Sequence, residues 1–297
     1  MISEASGSRG SGMYAKGWRV AAEQPSGILG KLRGAVRHLA ISTSALFSDK
    51  ECGSFLRCIT CHYVFDDQVS HFETLIQRLC GIGKFVNTDT CASMLRGETP
   101  IDGRYFHLSF DDGFRNVITN GFPILRKFGV PAILFVPTDL VGANWERTSH
   151  YCIEVTKYRA VVELAGWEDL AAIDHTLFEV GSHTKTHIRA SVVSKNVDAL
   201  RAELTDSRRE IEQKLGKECK YLAWPFGKRS DVDDLSRVLA QEAGYHAAFS
   251  VERGAVQPGR SSVFFLPRHH FEPQWPLSHI LYFARGNMEK TQGVEAD

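Results

Sequence analysis

Short runs of alternating or continuous apolar residues recur along the chain. Most are followed by a stretch in which apolar residues return every three or four positions. Residues 55–64, 84–86, 104–108, 131–136, 178–181, 221–224, 246–249 and 263–266 read as strands. The run at 131–136 is apolar throughout, as a strand covered on both faces requires. Between the strands, Val69, Phe72, Leu75, Ile76 and Leu79 mark an amphipathic helix. Leu200, Leu204, Ile211 and Leu215 mark a longer one with a charged outer face, ending at Gly216. Helices are expected over 122–128, closed by Gly129, and over 233–243, closed by Gly244. A further helix starts at Thr88 or Asp89 and stops at Gly97, and Leu277, Ile280, Leu281 and Phe283 suggest a closing one. Residues 138–167 carry no readable period and are expected to form substrate-facing loops with one or two helices. Strand and helix alternate almost throughout. The pattern predicts an α/β fold: a parallel sheet of about seven strands, closed or nearly closed into a distorted (β/α) barrel.

The expected layout is an N-terminal segment over 1–54, one domain over 55–285 and a polar tail over 286–297. Residues 1–26 are rich in Gly, Ser and Ala without periodicity and are expected to be mobile. Over 27–47, Ile28, Leu29, Leu32, Val36, Leu39 and Ala40 share one side of a helical pattern, with Lys31, Arg33 and Arg37 mainly elsewhere. Gly30 and Gly34 weaken that helix. Docking on its own domain is the favoured reading; weak peripheral contact with an anionic membrane surface is the other.

Composition narrows the class. At 297 residues and 43% hydrophobic content the chain can bury one large core. Lys+Arg 35 balances Asp+Glu 35, so charge gives no case for a nucleic-acid partner. The 7 cysteines are odd in number and scattered, which argues against a disulfide framework. Residues 1–7 lack the basic start and apolar run of a signal peptide, and no apolar stretch is long enough to span a bilayer, so cytoplasm is the expected location. Nothing in the sequence fixes the oligomeric state. Cys58-x-x-Cys61-His62 matches the c-type haem attachment pattern. The strand context and the missing export signal favour packing roles for both cysteines instead.

Two clusters carry chemistry. Ser109-Phe110-Asp111-Asp112-Gly113 closes the strand at 104–108. Adjacent side chains leaving a strand diverge, so the two carboxylates can take different jobs, one on a cation and one moving a proton. His183-Thr184-Lys185-Thr186-His187 follows the strand at 178–181. Two imidazoles and one carboxylate suit a divalent metal that keeps open positions for water. Pro225 and Phe226, then Arg268 and His269, also follow expected strands. A parallel barrel gathers such positions on one face.

These motifs, with Leu222-Ala223-Trp224-Pro225-Phe226-Gly227 as the third, resemble the polysaccharide deacetylase family (NodB-homology domain, carbohydrate esterase family 4) over roughly residues 55–285. The resemblance implies an enzyme with the NodB-type barrel that hydrolyses N-acetyl groups from an amino-sugar polysaccharide or oligosaccharide of the N-acetylglucosamine type. It implies Asp111 as general base, and Asp112, His183 and His187 as ligands of a divalent metal, Zn²⁺ first, with Co²⁺, Ni²⁺ and Fe²⁺ suited to the same donors. Trp224, Pro225 and Phe226 line the oxyanion side, where the residue after proline offers its backbone N–H. His62, in His62-Tyr63-Val64, lines the pocket; Arg268-His269-His270 offers candidates for the acid that protonates the leaving amine, and His269 is the choice. The chain departs from the family at Ala223, where many members have an arginine that orients the base; Arg268 is the candidate substitute. Two other functions compete: a catalytically weak carbohydrate-binding domain of the same fold, and a hydrolase of another non-peptide C–N bond.

Overall fold

The computed structural model describes residues 14–22 and 53–287. The amphipathic pattern at 27–47 and most of the expected polar tail lie outside the described residues. Eight strands form one sheet: β1 (Phe55–Cys61), β2 (Lys84–Phe85), β3 (Arg104–Phe110), β4 (Ala132–Val136), β5 (Phe178–Ser182), β6 (Tyr221–Ala223), β7 (Ala247–Phe249) and β8 (Arg268–His270). Seven lie in the order β7-β6-β5-β4-β3-β1-β8, all paired in parallel. A parallel bridge from Phe249 to Leu266, just ahead of β8, joins the two ends of that order and brings the barrel close to closure. The short β2 pairs with the first half of β3, while β4 pairs with its second half.

Alternation along the strands sorts side chains into an inner and an outer layer. Leu56, Cys58, Ile133, Phe135, Tyr221, Ala223, Ala247 and Phe249 fill the inside. Ile59, Leu108, Phe110, Leu134, Val136 and Phe178 pack outward against the helices, among them Phe72, Leu75 and Ile76 of the helix Val69–Cys80. Both faces of β4 are therefore covered, which is why its sequence is apolar without a break. Replacing a large member such as Phe135 by Ala should cost about 3–5 kcal/mol. The helices Phe122–Phe128 and Val197–Leu215 end as the sequence suggests, with Gly129 and Gly216 in the left-handed region at φ 64° and 63°. No helix among the described residues is long and apolar enough to cross a membrane.

Three features differ from expectation. The helix Thr88–Leu95 is capped by Asn87, whose side chain accepts from the Thr90 N–H, and not by Thr88 or Asp89. The last strand is Arg268–His270, not 263–266. The apolar run before it makes only local ladder bonds: the Val263 and Leu266 backbones bond Ala248 and Ser250, and Pro267, without an N–H, breaks the ladder there. Residues 14–22, expected to be mobile, dock on the domain. The Trp18 N–H donates to the Asp67 carboxylate at 2.9 Å, and Ala15 donates to the Val161 carbonyl at 2.8 Å. Composition could not show that Tyr14, Trp18 and Ala21 belong to a third apolar cluster with Tyr63, Phe65, Phe114 and Tyr151.

Candidate active site

The carboxyl ends of β1, β3, β5, β6 and β8 meet at one mouth of the barrel. On β3, His107, Ser109 and then Asp111 face inward, because Phe106, Leu108 and Phe110 are taken by the outer layer. On β8, the register pairs Arg268 with inward-facing Cys58 and His269 with outward-facing Ile59. Arg268 is fully buried and points at Asp111. Its Nη1 donates to Oδ1 and its Nη2 to Oδ2, each at 2.7 Å, the parallel fork that a guanidinium makes with a carboxylate. Ser109 Oγ and Thr60 Oγ1 accept further bonds from Nη1, and the Ser250 carbonyl accepts from Nε at 2.7 Å, so the guanidinium is fixed from several strands. Burial would push the Asp111 carboxyl up, but the Arg268 charge more than offsets this and leaves it below the usual carboxylate value.

Asp112 goes the other way. Its φ of 71°, followed by Gly113 at 71°, turns the carboxylate out of the strand line and toward β5. A side chain at Gly113 would suffer at that φ and would place a Cβ 3.1 Å from Val136 Cγ1. Asp112 Oδ1 lies 3.5 Å from His183 Nε2 and 3.3 Å from His187 Nε2. Donor atoms bound at about 2.0–2.1 Å around a tetrahedral ion sit ~3.4 Å apart, so the three residues fit a divalent metal. His183 Nδ1 lies 2.7 Å from the Ala223 carbonyl; donating there, it leaves Nε2 as the free lone pair. Burial holds His187 below the usual imidazole range, favouring the neutral ring that a ligand must be. Burial opposes the Asp112 charge, yet the imidazoles of His183 and His187 beside it keep its carboxyl well below the usual range.

Backbone strain collects here. Among the described residues, Asp112, Lys157, Thr184, His187 and Phe226 are the non-glycine residues with left-handed φ, and all but Lys157 belong to these loops. The His183–His187 loop is held by Glu203 of the helix Val197–Leu215. Its Oε2 accepts from the Lys185 and Thr186 N–H groups at 3.0 and 2.9 Å, and its Oε1 accepts from the Thr186 hydroxyl at 2.7 Å. Around Phe226, the Gly227 N–H bonds back to the Pro225 carbonyl at 2.7 Å, a three-residue turn at φ 62°. That turn sets the Phe226 ring 5.1 Å from the His187 ring, under the Arg189 guanidinium at 3.6 Å.

The structure thus brings together Asp111, Asp112, His183, His187, Arg268 and Phe226, with buried Pro225 beside Phe226. His62 stands at the same mouth, against the His270 ring. Trp224 is not part of the opening: it is fully buried in the outer layer, its indole N–H donating to the Phe264 carbonyl at 2.8 Å. His269 leaves β8 on the face opposite Arg268. His270 takes the inward direction, its ring 5.1 Å from His62 and its Nε2 3.0 Å from Glu272 Oε1. Glu272 is pushed up by burial and brought back below its usual value chiefly by His270. The haem pattern fails on the same alternation, since Cys58 faces inward and Cys61 outward.

Sequence reasoning missed Glu203, Tyr151 and Glu272; His270 was among its candidates but was passed over for His269. Tyr151 comes from the unread segment and stands edge-on to His187 at 5.1 Å; burial and then the Asp112 charge push its phenol well above the usual range.

A poly-beta-1,6-N-acetyl-D-glucosamine N-deacetylase of Staphylococcus aureus (strain MRSA252) is 28% identical over 167 residues, 54% of this chain and 52% of that protein. The chain spans about half the length of the curated relatives it matches. Among solved structures, IcaB from Ammonifex degensii superposes with a TM-score of 0.65 at 20% identity, covering 78% of this chain and 98% of that one. The Streptococcus pyogenes deacetylase PplD in complex with acetate gives 0.63 at 15% identity, covering 77% and 97%. At these identities the likeness is one of fold. Residues 99–248, which include Asp111, Asp112, His183 and His187, match the model of the family described as polysaccharide deacetylase, and the chain belongs to that family.

Proposed function

We propose that the protein is a metal-dependent hydrolase that removes N-acetyl groups from an amino-sugar polysaccharide or oligosaccharide of the N-acetylglucosamine type. The observation that carries this reading is a buried, ionised Asp111 clamped by Arg268 beside the Asp112, His183 and His187 donor set. A carbohydrate-binding domain has no use for a carboxylate kept charged against burial, so the pair favours the enzyme over that alternative.

Asp112, His183 and His187 would hold the cation, with Zn²⁺ the first choice among the divalent metals these donors suit. Bound there, it would supply an acidified water and polarise the acetyl carbonyl. Asp111 takes the proton of the attacking water, and Arg268 holds its carboxylate in one orientation while keeping it ionised. The Phe226 N–H, presented by its strained turn, faces the oxygen on which negative charge develops. His270, backed by Glu272, delivers a proton to the nitrogen as the C–N bond breaks, giving a free amine and acetate. The role first given to His269 passes to His270 on strand alternation. The neutral balance of the whole chain suits an uncharged glycan, and the relative's name makes β-1,6-linked N-acetylglucosamine the first substrate to try.

The test is incubation of the zinc-loaded chain with β-1,6-linked N-acetylglucosamine oligomers. Acetate and free amine should appear in equal amounts; the appearance of neither would overturn the substrate class.

A further inference from the structure

Deeper in the barrel, below Arg268 and toward the end away from the mouth, lies a second donor cluster that the proposed deacetylation does not use. Cys58 on β1 and His107 on β3 are direct register partners inside the barrel. Cys91 comes from the helix Thr88–Leu95, whose Cys91, Ala92, Met94 and Leu95 pack into the inner layer and plug that end. His107 lies four residues before Asp111 on the same strand, so at about 3.3 Å per residue the cluster sits ~13 Å from the Asp111 mouth.

All three side chains are buried, and their donor atoms lie within 4.8 Å of one another. The Cys58 and Cys91 sulfurs are 3.6 Å apart. Two thiolates bound at about 2.3 Å around a tetrahedral ion stand ~3.8 Å apart, so the spacing is close to that of a bound pair. The histidine supplies the second, independent observation. Its ring is fixed by stacking on Phe249, centroids 5.1 Å apart and planes 12° from parallel. Its Nε2 lies 3.2 Å from Thr88 Oγ1, and with Thr88 accepting there, the other nitrogen carries the lone pair. That nitrogen, Nδ1, has no hydrogen-bond partner although the residue is 1% exposed. A buried polar atom without a partner is costly. A Cys58–Cys91 disulfide leaves the orphan in place; a cation held by both sulfurs removes it. Two thiolates and a neutral imidazole also cancel the charge of a divalent ion, which a dry interior demands.

We propose that Cys58, Cys91 and His107 form a second metal site, for a thiophilic cation such as Zn²⁺, that pins the plug helix Thr88–Leu95 to β1 and β3. Sulfur donors and a closed, buried setting mark it as structural rather than catalytic.

Metal counting on the full chain tests it, with zinc and cobalt as the probes. Zinc-loaded wild type should carry two equivalents per chain, Asp112→Asn one, and Cys91→Ser one. Cobalt-loaded wild type and Asp112→Asn should both show the near-ultraviolet sulfur-to-cobalt charge-transfer band, which the oxygen and nitrogen donors of the other site cannot produce. Cys91→Ser should lose the band. Should Cys91→Ser fail to fold, the band and the single equivalent in Asp112→Asn still decide the matter. Absence of the band in wild type and in Asp112→Asn, or a Cys58–Cys91 disulfide in the isolated protein, would overturn the proposal. Failure of the Asp112 site instead shows as a band without acetate release.

Discussion

Both oxygens of Asp111 are held by Arg268, at 2.7 Å from Nη1 and 2.7 Å from Nη2, across a barrel whose first ring-forming strand lies between them. The pair is almost wholly shut off from solvent, with side chains 0% and 2% exposed. Taking away one member of a buried pair strands the other, so Arg268→Ala should cost about 3–5 kcal/mol of stability at neutral pH. Arg268→Lys keeps the charge and loses the fork, so turnover should fall with bound metal unchanged. In Arg268→Ala the Asp111 carboxyl is freed from the charge that lowered it, and burial then raises it. The working form is the carboxylate, so the acidic limb of the pH–rate profile should move to higher pH. Unfolding melts, metal analysis and the pH profile read these three effects separately.

The same depressed carboxyl sets an acid limit on the fold. A group whose folded-state value lies below its unfolded one contributes stability above the unfolded value, about 3.9 for Asp, and loses it as pH falls through the folded value. Denaturant melts from neutral pH downward should therefore show the Asp111–Arg268 contribution intact to about pH 4 and lost below it. In Asp111→Asn that part of the acid dependence should be missing.

The two aspartates should separate cleanly. Asp111→Asn should keep its metal and lose rate by a factor of about 10²–10⁴, the range for a general acid or base. Asp112→Asn should lose metal first and rate as a consequence. Dialysis against a metal buffer, followed by metal analysis beside turnover, distinguishes them; equal metal loss in both would reverse the assignment.

Glu203 touches no proposed ligand atom, yet it bonds two backbone N–H groups and a hydroxyl of the loop that carries both histidines. Glu203→Ala should weaken metal affinity by about 10–100-fold, as loss of a supporting group around a metal site does. Excess metal should restore most of the rate, which a general loss of folding would not allow.

His270 and His269 are adjacent and face opposite ways, so they offer a matched pair. His270→Asn should slow release of an amine, which needs a proton, far more than hydrolysis of an activated acetyl ester, whose leaving group does not. His269→Asn should show no such dependence on leaving group. Kinetics on both substrates make the comparison.

The legible parts of this site were those written in short sequence. Asp111-Asp112 and the His183, His187 spacing stand at strand ends that apolar runs announce, and a parallel barrel brings such ends together whatever the helices between them do. Arg268 was visible as the guanidinium nearest a strand end once Ala223 left the third motif without one. Facing was harder to read. The apolar run at 263–266 looked more like a strand than Arg268–His270, whose three residues are all polar, so the alternation that separates His270 from His269 had no frame. Trp224 showed its aromatic character but not its layer. Glu203 is one carboxylate among many on a long charged helix, and Cys91 is a single cysteine in another; only the fold reveals which loop or which thiol each one meets.

Acetate release measured side by side for metal-loaded wild type and Asp112→Asn, on β-1,6-linked N-acetylglucosamine oligomers, tests the central claim most directly. The account predicts acetate matched by free amine from the wild type and none above the blank from the variant. Equal release from both proteins, or none from the loaded wild type, would contradict it.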